Sequence, residues 1–254
     1  MVGGAASLLN LGRTRAVALA FVAAVAVIYV AAAASLWNLS SRVDPVVLAL
    51  FLLPGFLSLI WLALPVWRTP FPLLLFTGLG LVVCSFVLDI VGLDSLADIV
   101  KLMGYALLGF WLLDLFDEPW WVALVALLIP WVDIWSVATG PTRYVTNEQP
   151  GFFDHVSVAF PVPGEHGSVN LGPPDVIFFA LFLAAADRFR LRVAWTWIGM
   201  TACLGITVVL VYVTETGLPA LPAVALGFLL PNADLIWKNV QQARRARREL
   251  QDAK

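Results

Sequence analysis

PWWVALVALLIPWVDIWSVA, residues 119–138, is apolar throughout except for one charged side chain, Asp133. A helix needs about 20 apolar residues to cross the hydrocarbon core of a bilayer, which is about 30 Å thick. Similar runs recur along the 254-residue chain, which is 61% apolar and 13% charged, whereas a soluble domain carries about 25% charged residues. The sequence therefore predicts an all-α fold, a polytopic bundle of membrane-spanning helices without a separate soluble domain.

Eight apolar runs predict eight transmembrane spans. Proline and glycine fall at the joints between the runs, and tryptophan is frequent at their ends, where amphipathic rings sit at the level of the lipid headgroups. The predicted spans cover residues 16–36, 46–66, 71–92, 96–115, 119–138, 174–187, 193–213 and 218–237. We divide the chain accordingly into a four-span part (1–118), a second part (119–237) that contains a long polar connection (139–171), and a basic tail (238–254).

The basic residues predict how the bundle is oriented. If both termini lie on one side, that side receives nearly all lysine and arginine residues, as the positive-inside rule requires of the cytoplasmic face. We therefore expect cytoplasmic N- and C-termini. The basic tail follows the last span either as a simple stop-transfer flank or as a helix on the anionic lipid of the inner leaflet. The cytoplasmic set is Arg13, Arg15, Arg68, Arg188, Arg190, Arg192, Lys238, Arg244, Arg245, Arg247, Arg248 and Lys254, against Arg42 and Arg143 on the other side.

The first apolar run has features of a secretory signal peptide. It follows Arg13 and Arg15 and ends in a series of small residues. Its apolar core is longer than the roughly 7–15 residues of a signal peptide, so we expect a retained membrane anchor.

Two aspartates, Asp133 and Asp175, lie in apolar sequence. An ionisable group inside a bilayer costs about 2.5–3.5 kcal/mol on insertion scales, so such residues are candidates for a functional site. In the eight-span arrangement Asp133 is near the outer end of the fifth span, and Asp175 is in the first turn of the sixth. The segment PALP, residues 219–222, opens the eighth span at the same depth. Three helices thus bring polar or helix-breaking residues to one level of the membrane.

Each of these features also has a plain structural interpretation. Asp175 can cap its own helix, and prolines commonly begin a helix. The segment HVSVAFPVP, residues 155–163, alternates as a half-buried strand does, which fits a short hairpin, although an ordinary loop fits equally well. The pairs Asp154-His155 and Glu165-His166 lack the spacing of a metal site, so no metal is expected.

Taken together, the motifs resemble the GxGD-type intramembrane aspartyl proteases, the family of presenilins, signal peptide peptidases and their archaeal and bacterial relatives. The resemblance covers about residues 120–237. It rests on VDIWSV around Asp133, on LGPPD (171–175), and on PALP, which is its most specific element. The chain has Val132 where the family usually has tyrosine and Pro174 where it has a second glycine, and it has one span fewer than the usual nine.

The resemblance implies a fold, a function and a site. It implies a presenilin-like C-terminal half, with 119–237 as the catalytic helices, and hydrolysis of transmembrane helices or signal peptides in a prokaryotic plasma membrane without a metal or organic cofactor. The implied partners are the lipid bilayer and transmembrane substrate polypeptides, not nucleic acid. The implied site residues are a catalytic pair, Asp133 and Asp175, and a substrate-binding set, Gly172, Pro174, Pro219, Ala220, Leu221 and Pro222.

Two other functions fit the same residues. Two acidic groups at one depth between broken helices can relay protons or bind a cation in a transporter or channel. The other alternative is a relative that binds membrane helices without cutting them, because Pro174 has altered the active geometry.

Overall fold

The computed structural model describes residues 12–37, 43–139, 150–164, 168–214 and 217–252. Arg42, Arg143, Glu165, His166 and Lys254 lie outside the described residues, as do parts of the connection 139–171.

All the long elements are helices, as predicted. They are α1 (Arg13–Ala32), α2 (Asp44–Val47), α3 (Leu53–Ala63), α4 (Phe71–Ile90), α5 (Asp94–Leu112), α6 (Pro119–Ala138), α7 (Pro150–Val156), α8 (Pro173–Arg188), α9 (Val193–Thr214) and α10 (Leu221–Asp252). A π-helical turn over Leu48–Leu52 joins α2 to α3, and 3₁₀ turns extend α1, α3 and α5 to Ser35, Arg68 and Leu115.

Six helical segments within the described residues are long and apolar enough to cross a membrane. They are Arg13–Ser35, Asp44–Arg68, Phe71–Ile90, Asp94–Leu115, Pro119–Ala138 and Val193–Thr214. The chain is thus an integral membrane protein built as a helical bundle. The remaining two predicted spans correspond to α8, which is 16 residues long, and to α10, whose C-terminal part is charged. The count of eight spans stays a prediction.

Helix α8 forms the core of the bundle. Val176 and every residue from Phe179 to Ala186 have no exposed surface. A helix that is apolar all round is stable only when other elements surround it, and α5, α9 and α10 pack along α8. Its 16 residues rise about 24 Å, less than the hydrocarbon thickness of about 30 Å. An upright α8 therefore has an end within the apolar layer.

Glycines allow the helices around this core to approach closely. A Cβ atom added at Gly227 of α10 would lie less than 3.0 Å from backbone atoms of Met200 in α9. A Cβ atom added at Gly109 of α5 would meet the carbonyl oxygen of Ile177 in α8 equally closely. Small residues at helix contacts are a main source of packing energy in membranes, because lipid supplies no hydrophobic drive for helix association.

Three arginine–aspartate ion pairs lie at one end of the bundle, which we call the arginine end. They join the helix ends there: Arg68–Asp187 (2.7 Å), Arg188–Asp114 (3.5 Å) and Arg192–Asp234 (2.6 Å). Three of the basic residues predicted to share one face therefore share one end of the molecule. The side of the membrane that this end faces stays a prediction.

The opposite end carries a β-hairpin, and we call it the hairpin end. Strands β1 (Val158–Pro161) and β2 (Ser168–Leu171) pair antiparallel, with Val158 opposite Leu171 and Pro161 opposite Ser168. The hydroxyl of Tyr29 in α1 donates to the carbonyl oxygen of Pro161 at 2.7 Å. Of the two interpretations of residues 155–163, the hairpin is the one that forms.

The last helix differs from its predicted span at both ends. Helix α10 begins at Leu221 rather than at 218, because Pro219 and Pro222 lack the N–H groups that a helix interior needs and proline is tolerated only in the first turn. It then continues to Asp252, through most of the predicted tail, because the sequence contains neither proline nor glycine after Pro231. The tail is therefore a direct helical extension of α10, and the whole helix is about 48 Å long.

Candidate functional site

The first predicted catalytic residue, Asp133, contacts the PALP segment directly. Asp133 lies five residues before the end of α6 and is half-buried. Its Oδ2 accepts a hydrogen bond of 3.0 Å from the backbone N–H of Leu221, the first residue of α10. The first four N–H groups of a helix have no partner within the helix, so Asp133 supplies from α6 the acceptor that α10 lacks. Two of the predicted motifs therefore meet.

The second predicted catalytic residue, Asp175, caps the helix that it opens. Its Oδ2 accepts a hydrogen bond of 3.1 Å from the backbone N–H of Gly172, three residues earlier. In return, the Gly172 carbonyl accepts the first backbone bonds of α8, from Asp175 at 3.1 Å and from Val176 at 3.5 Å. Pro173 and Pro174 have no N–H to offer. The cap fixes the Asp175 side chain at the start of the buried core helix.

The two carboxyl groups interact electrostatically with one another. Among the described residues, neither forms an ion pair with a basic side chain, since the ion pairs of the structure all involve other carboxylates. Two neighbouring carboxyl groups without a neutralising cation favour a state in which one proton is shared between them. Asp133 and Asp175, which the sequence predicted to lie at one depth, are thus within electrostatic range of one another.

Two residues of the predicted substrate-binding set contact the pair, Leu221 at Asp133 and Gly172 at Asp175. Leu221 is buried, whereas Gly172, Pro219, Ala220 and Pro222 are half-buried. The Ala220 carbonyl accepts the first backbone bonds of α10, from Ala223 at 3.0 Å and from Val224 at 3.2 Å. Pro174 is exposed.

Helix α6 lies at the edge of the bundle, so the pair is close to lipid. It packs along α10 and touches α8 only over a short stretch. Trp131 is 73% exposed and Val132 is 63% exposed. Asp133, the next residue, contacts α10 through its hydrogen bond with Leu221. A segment within the bilayer can therefore approach the carboxyl pair from the side.

Sequence reasoning missed a second polar cluster at the hairpin end. It contains Asp98 and Lys101 of α5, and Lys101 is only 1% exposed. Together with Tyr105 they bind the backbone just before the hairpin. Their spacing of three and four residues on one helix face was the available signal.

The described histidine pair of the connection, Asp154-His155, takes part in hydrogen bonds. His155 Nδ1 lies 3.1 Å from Asp89 Oδ2, and Asp154 Oδ1 accepts a bond of 2.8 Å from Asn170. Within the part of the chain that the structure describes, no group of three histidine, cysteine or acidic residues is placed to hold a metal ion. His166 belongs to the residues outside that part.

No protein-family model and no curated protein matches this chain. The resemblance to the GxGD-type proteases therefore stays an expectation from the motifs.

Proposed function

We propose that this protein is an intramembrane aspartyl protease that hydrolyses transmembrane helices or signal peptides with Asp133 and Asp175. One observation carries the proposal. The Asp133 carboxylate accepts a hydrogen bond from the backbone of the PALP segment and lies within electrostatic range of Asp175, although the aspartates are 42 positions apart and Leu221 is 46 positions beyond Asp175. Capping explains each carboxyl separately, Asp133 at α10 and Asp175 at α8, but it does not require the two carboxyl groups to lie near one another.

The chemistry follows from one proton shared by two carboxyl groups. The ionised member removes a proton from a water molecule as that water attacks the scissile carbonyl carbon. The protonated member donates a hydrogen bond to the carbonyl oxygen and afterwards helps to protonate the leaving amine. Each carboxyl has one oxygen held by a backbone N–H and a second oxygen for this exchange. Hydrolysis consumes one water and needs no cofactor.

The surroundings of the pair suit a substrate that arrives within the bilayer. A transmembrane helix must unwind before one of its peptide bonds can be cut, and its released N–H and C=O groups then need partners. The non-helical residues 217–220 lie directly before α10 and offer backbone groups, with Pro219, Ala220, Leu221 and Pro222 along the approach. Gly172 and Pro174 border it from α8. These residues form the proposed substrate-binding set.

The proposal includes an orientation and a compartment. We place the arginine end and both termini in the cytoplasm of a prokaryotic cell, with the hairpin end outside the plasma membrane. Helix α6 then runs outward, as the corresponding helix does in signal peptide peptidases. Substrates with cytoplasmic N-termini, leftover signal peptides among them, follow from this arrangement.

The test is a cleavage assay with purified protein in lipid nanodiscs and a fluorescent transmembrane peptide. We expect Asp133→Asn and Asp175→Asn each to abolish product formation, because either change removes one of the two carboxyl groups that share the proton. Asp117→Asn is the matched control, since Asp117 is an exposed carboxylate in the joint before α6 and should leave the rate unchanged. Persistent cleavage in either of the first two variants contradicts the proposal.

Proton-coupled transport is the second candidate, and one observation favours it. Helices α8 and α10 both begin beside the carboxyl pair, and helix N-termini within a membrane are typical of ion and substrate sites in transporters. This function predicts proton flux into liposomes that both aspartate variants abolish, with no peptide products.

A further inference from the structure

A buried lysine lies at the hairpin end and is not explained by packing. Lys101 of α5 is 1% exposed. Its ammonium group donates to the carbonyl oxygen of Ser157 at 3.0 Å and pairs with the Asp98 carboxylate at 3.4 Å. Burial of a cation is costly even when it is paired, and an apolar side chain of the same length would fill the space without that cost. The contact with Ser157 is what an apolar side chain cannot supply.

Lys101 belongs to a polar stripe on α5 that forms hydrogen bonds with the backbone of residues 156–159. Three side chains at spacings of three and four residues share this helix face. Their contacts are Tyr105 Oη to the Val156 carbonyl (2.7 Å), Lys101 Nζ to the Ser157 carbonyl (3.0 Å), and the Ala159 N–H to Asp98 Oδ1 (3.3 Å). Because all three contacts are to main-chain atoms, they fix where the chain enters β1.

Residues 156–159 are connected to Asp175 through the hairpin. Ser157 precedes Val158, and Val158 is opposite Leu171 in the β1–β2 pair. Leu171 precedes Gly172, whose N–H donates to Asp175 Oδ2 at 3.1 Å. A displacement of Ser157 is therefore passed across a single strand pair to the donor that holds Asp175.

We propose that Lys101 is a positioning residue for Asp175. It acts through Ser157, the Val158–Leu171 pair and Gly172, and it makes no contact with the reacting atoms. The proposal deepens the proposed protease function, on which its kinetic consequence rests. A small misplacement of one reacting group is enough to reduce turnover strongly, because the two carboxyl groups must share one proton across a fixed geometry.

The hairpin offers a matched control at its other end. Tyr29 donates to the Pro161 carbonyl at 2.7 Å, and Pro161 is opposite Ser168, at the end of the ladder away from Gly172. Tyr29→Phe deletes one hydroxyl bond to the hairpin, and Tyr105→Phe deletes one to Val156, just before the hairpin. Only the second removes a contact beside Ser157.

The experiment compares Lys101→Met, Tyr105→Phe and Tyr29→Phe with wild type in nanodiscs. We expect Lys101→Met to lower kcat at least about tenfold with KM within about twofold, because the PALP residues of the substrate-binding set do not lie on the path from Lys101 to Asp175. Tyr105→Phe should lower kcat in the same direction by less, and Tyr29→Phe should leave kcat within about twofold. The double variant Asp98→Asn with Lys101→Met removes the unpaired carboxylate and should still show low kcat. Tyr105→Phe, which deletes one oxygen, keeps the test valid if Lys101→Met does not fold.

Backbone hydrogen exchange gives a readout that does not depend on activity. Pro173 and Pro174 have no amide, so exchange in the segment 171–174 reports only Leu171 and Gly172. We expect faster exchange of Gly172 in Lys101→Met and wild-type exchange in Tyr29→Phe. Unchanged Gly172 exchange and kcat in Lys101→Met overturn the inference, and so does an equal loss of kcat in Tyr29→Phe. If the wild type cleaves no peptide, the protease proposal alone is lost, and the Gly172 exchange decides the positioning role.

Discussion

Asp133 and Asp175 each use one carboxylate oxygen to hold a helix N-terminus. Asp175 holds the first turn of its own helix through Gly172, and Asp133 holds α10 from a neighbouring helix through Leu221. The capping role that the sequence allowed for Asp175 is therefore present, and Asp133 has one as well. Capping orients each carboxyl and leaves its second oxygen for proton exchange, so the same contacts serve structure and the proposed chemistry.

This double role makes a prediction about stability. Asp133→Ala leaves the buried Leu221 N–H without an acceptor and should lower the free energy of unfolding by about 1–2 kcal/mol. Asp133→Asn keeps a carbonyl oxygen in the same place and should unfold within about 0.5 kcal/mol of wild type, yet show no cleavage. Thermal unfolding in detergent, followed by intrinsic tryptophan fluorescence, measures the difference. Equal stability of the two variants contradicts the capping bond.

At the scale of elements, apolar runs and their punctuation predicted the helices well. Every predicted span coincides with a helix or with consecutive helical turns, because run length and proline position are local properties of the sequence. A helix in the basic tail was one of the two interpretations, but its unbroken continuation from α10 to Asp252 was not predicted, because the end of hydrophobicity was taken as the end of the last span. Hydrophobicity determines where the membrane-spanning part of a helix ends, whereas the helix propensity of the residues determines where the helix itself ends.

The site could be predicted only in part. Asp133, Asp175 and PALP were recognisable because a charge or a proline in apolar sequence stands out locally. The hydrogen bond from Lys101 to Ser157 was not recognisable, because it joins residues 56 positions apart and its acceptor is a main-chain carbonyl, which every residue has. Contacts of side chains with a distant backbone need coordinates.

The close contact of α9 and α10 gives a prediction at this scale. Gly227→Ala places a methyl group less than 3.0 Å from the Met200 backbone, so the helices must separate and unfolding should become easier by about 1–3 kcal/mol. Gly80→Ala is the control, since Gly80 lies in α4 with nothing within 4 Å of an added Cβ. That control should be neutral or stabilising by up to about 1 kcal/mol, because alanine favours helix. Thermal unfolding curves that place both variants together would rule out the tight α9–α10 packing.

At the scale of the whole molecule, the bundle has two chemically different ends. The arginine end is joined by ion pairs of arginine residues, and the hairpin end is joined mainly by contacts to the backbone around β1 and β2. The core helix α8 runs between them, from the carboxyl pair to the ion pairs of Asp187 and Arg188. The shared end of three arginine residues agrees with the charge distribution of the sequence, whereas the orientation relative to the cytoplasm stays a prediction of the positive-inside rule.

The orientation can be tested by labelling. In a variant without Cys84 and Cys203, Ser168→Cys places a thiol at the exposed start of β2, and Gln242→Cys places one on the exposed surface of α10 beyond the arginine end. We expect a membrane-impermeant maleimide to label Ser168→Cys in intact cells and Gln242→Cys only after permeabilisation. The reverse pattern would invert the molecule in the membrane.

The most direct measurement of the central claim is mass spectrometry of a transmembrane peptide incubated with the protein in ¹⁸O-labelled water. We expect wild type and Asp117→Asn to yield two fragments, of which the N-terminal one carries one ¹⁸O atom in its new C-terminal carboxyl, as attack by water requires. Asp133→Asn and Asp175→Asn should yield none. Labelled fragments from either of these two variants, or intact peptide with the wild type, would contradict the account.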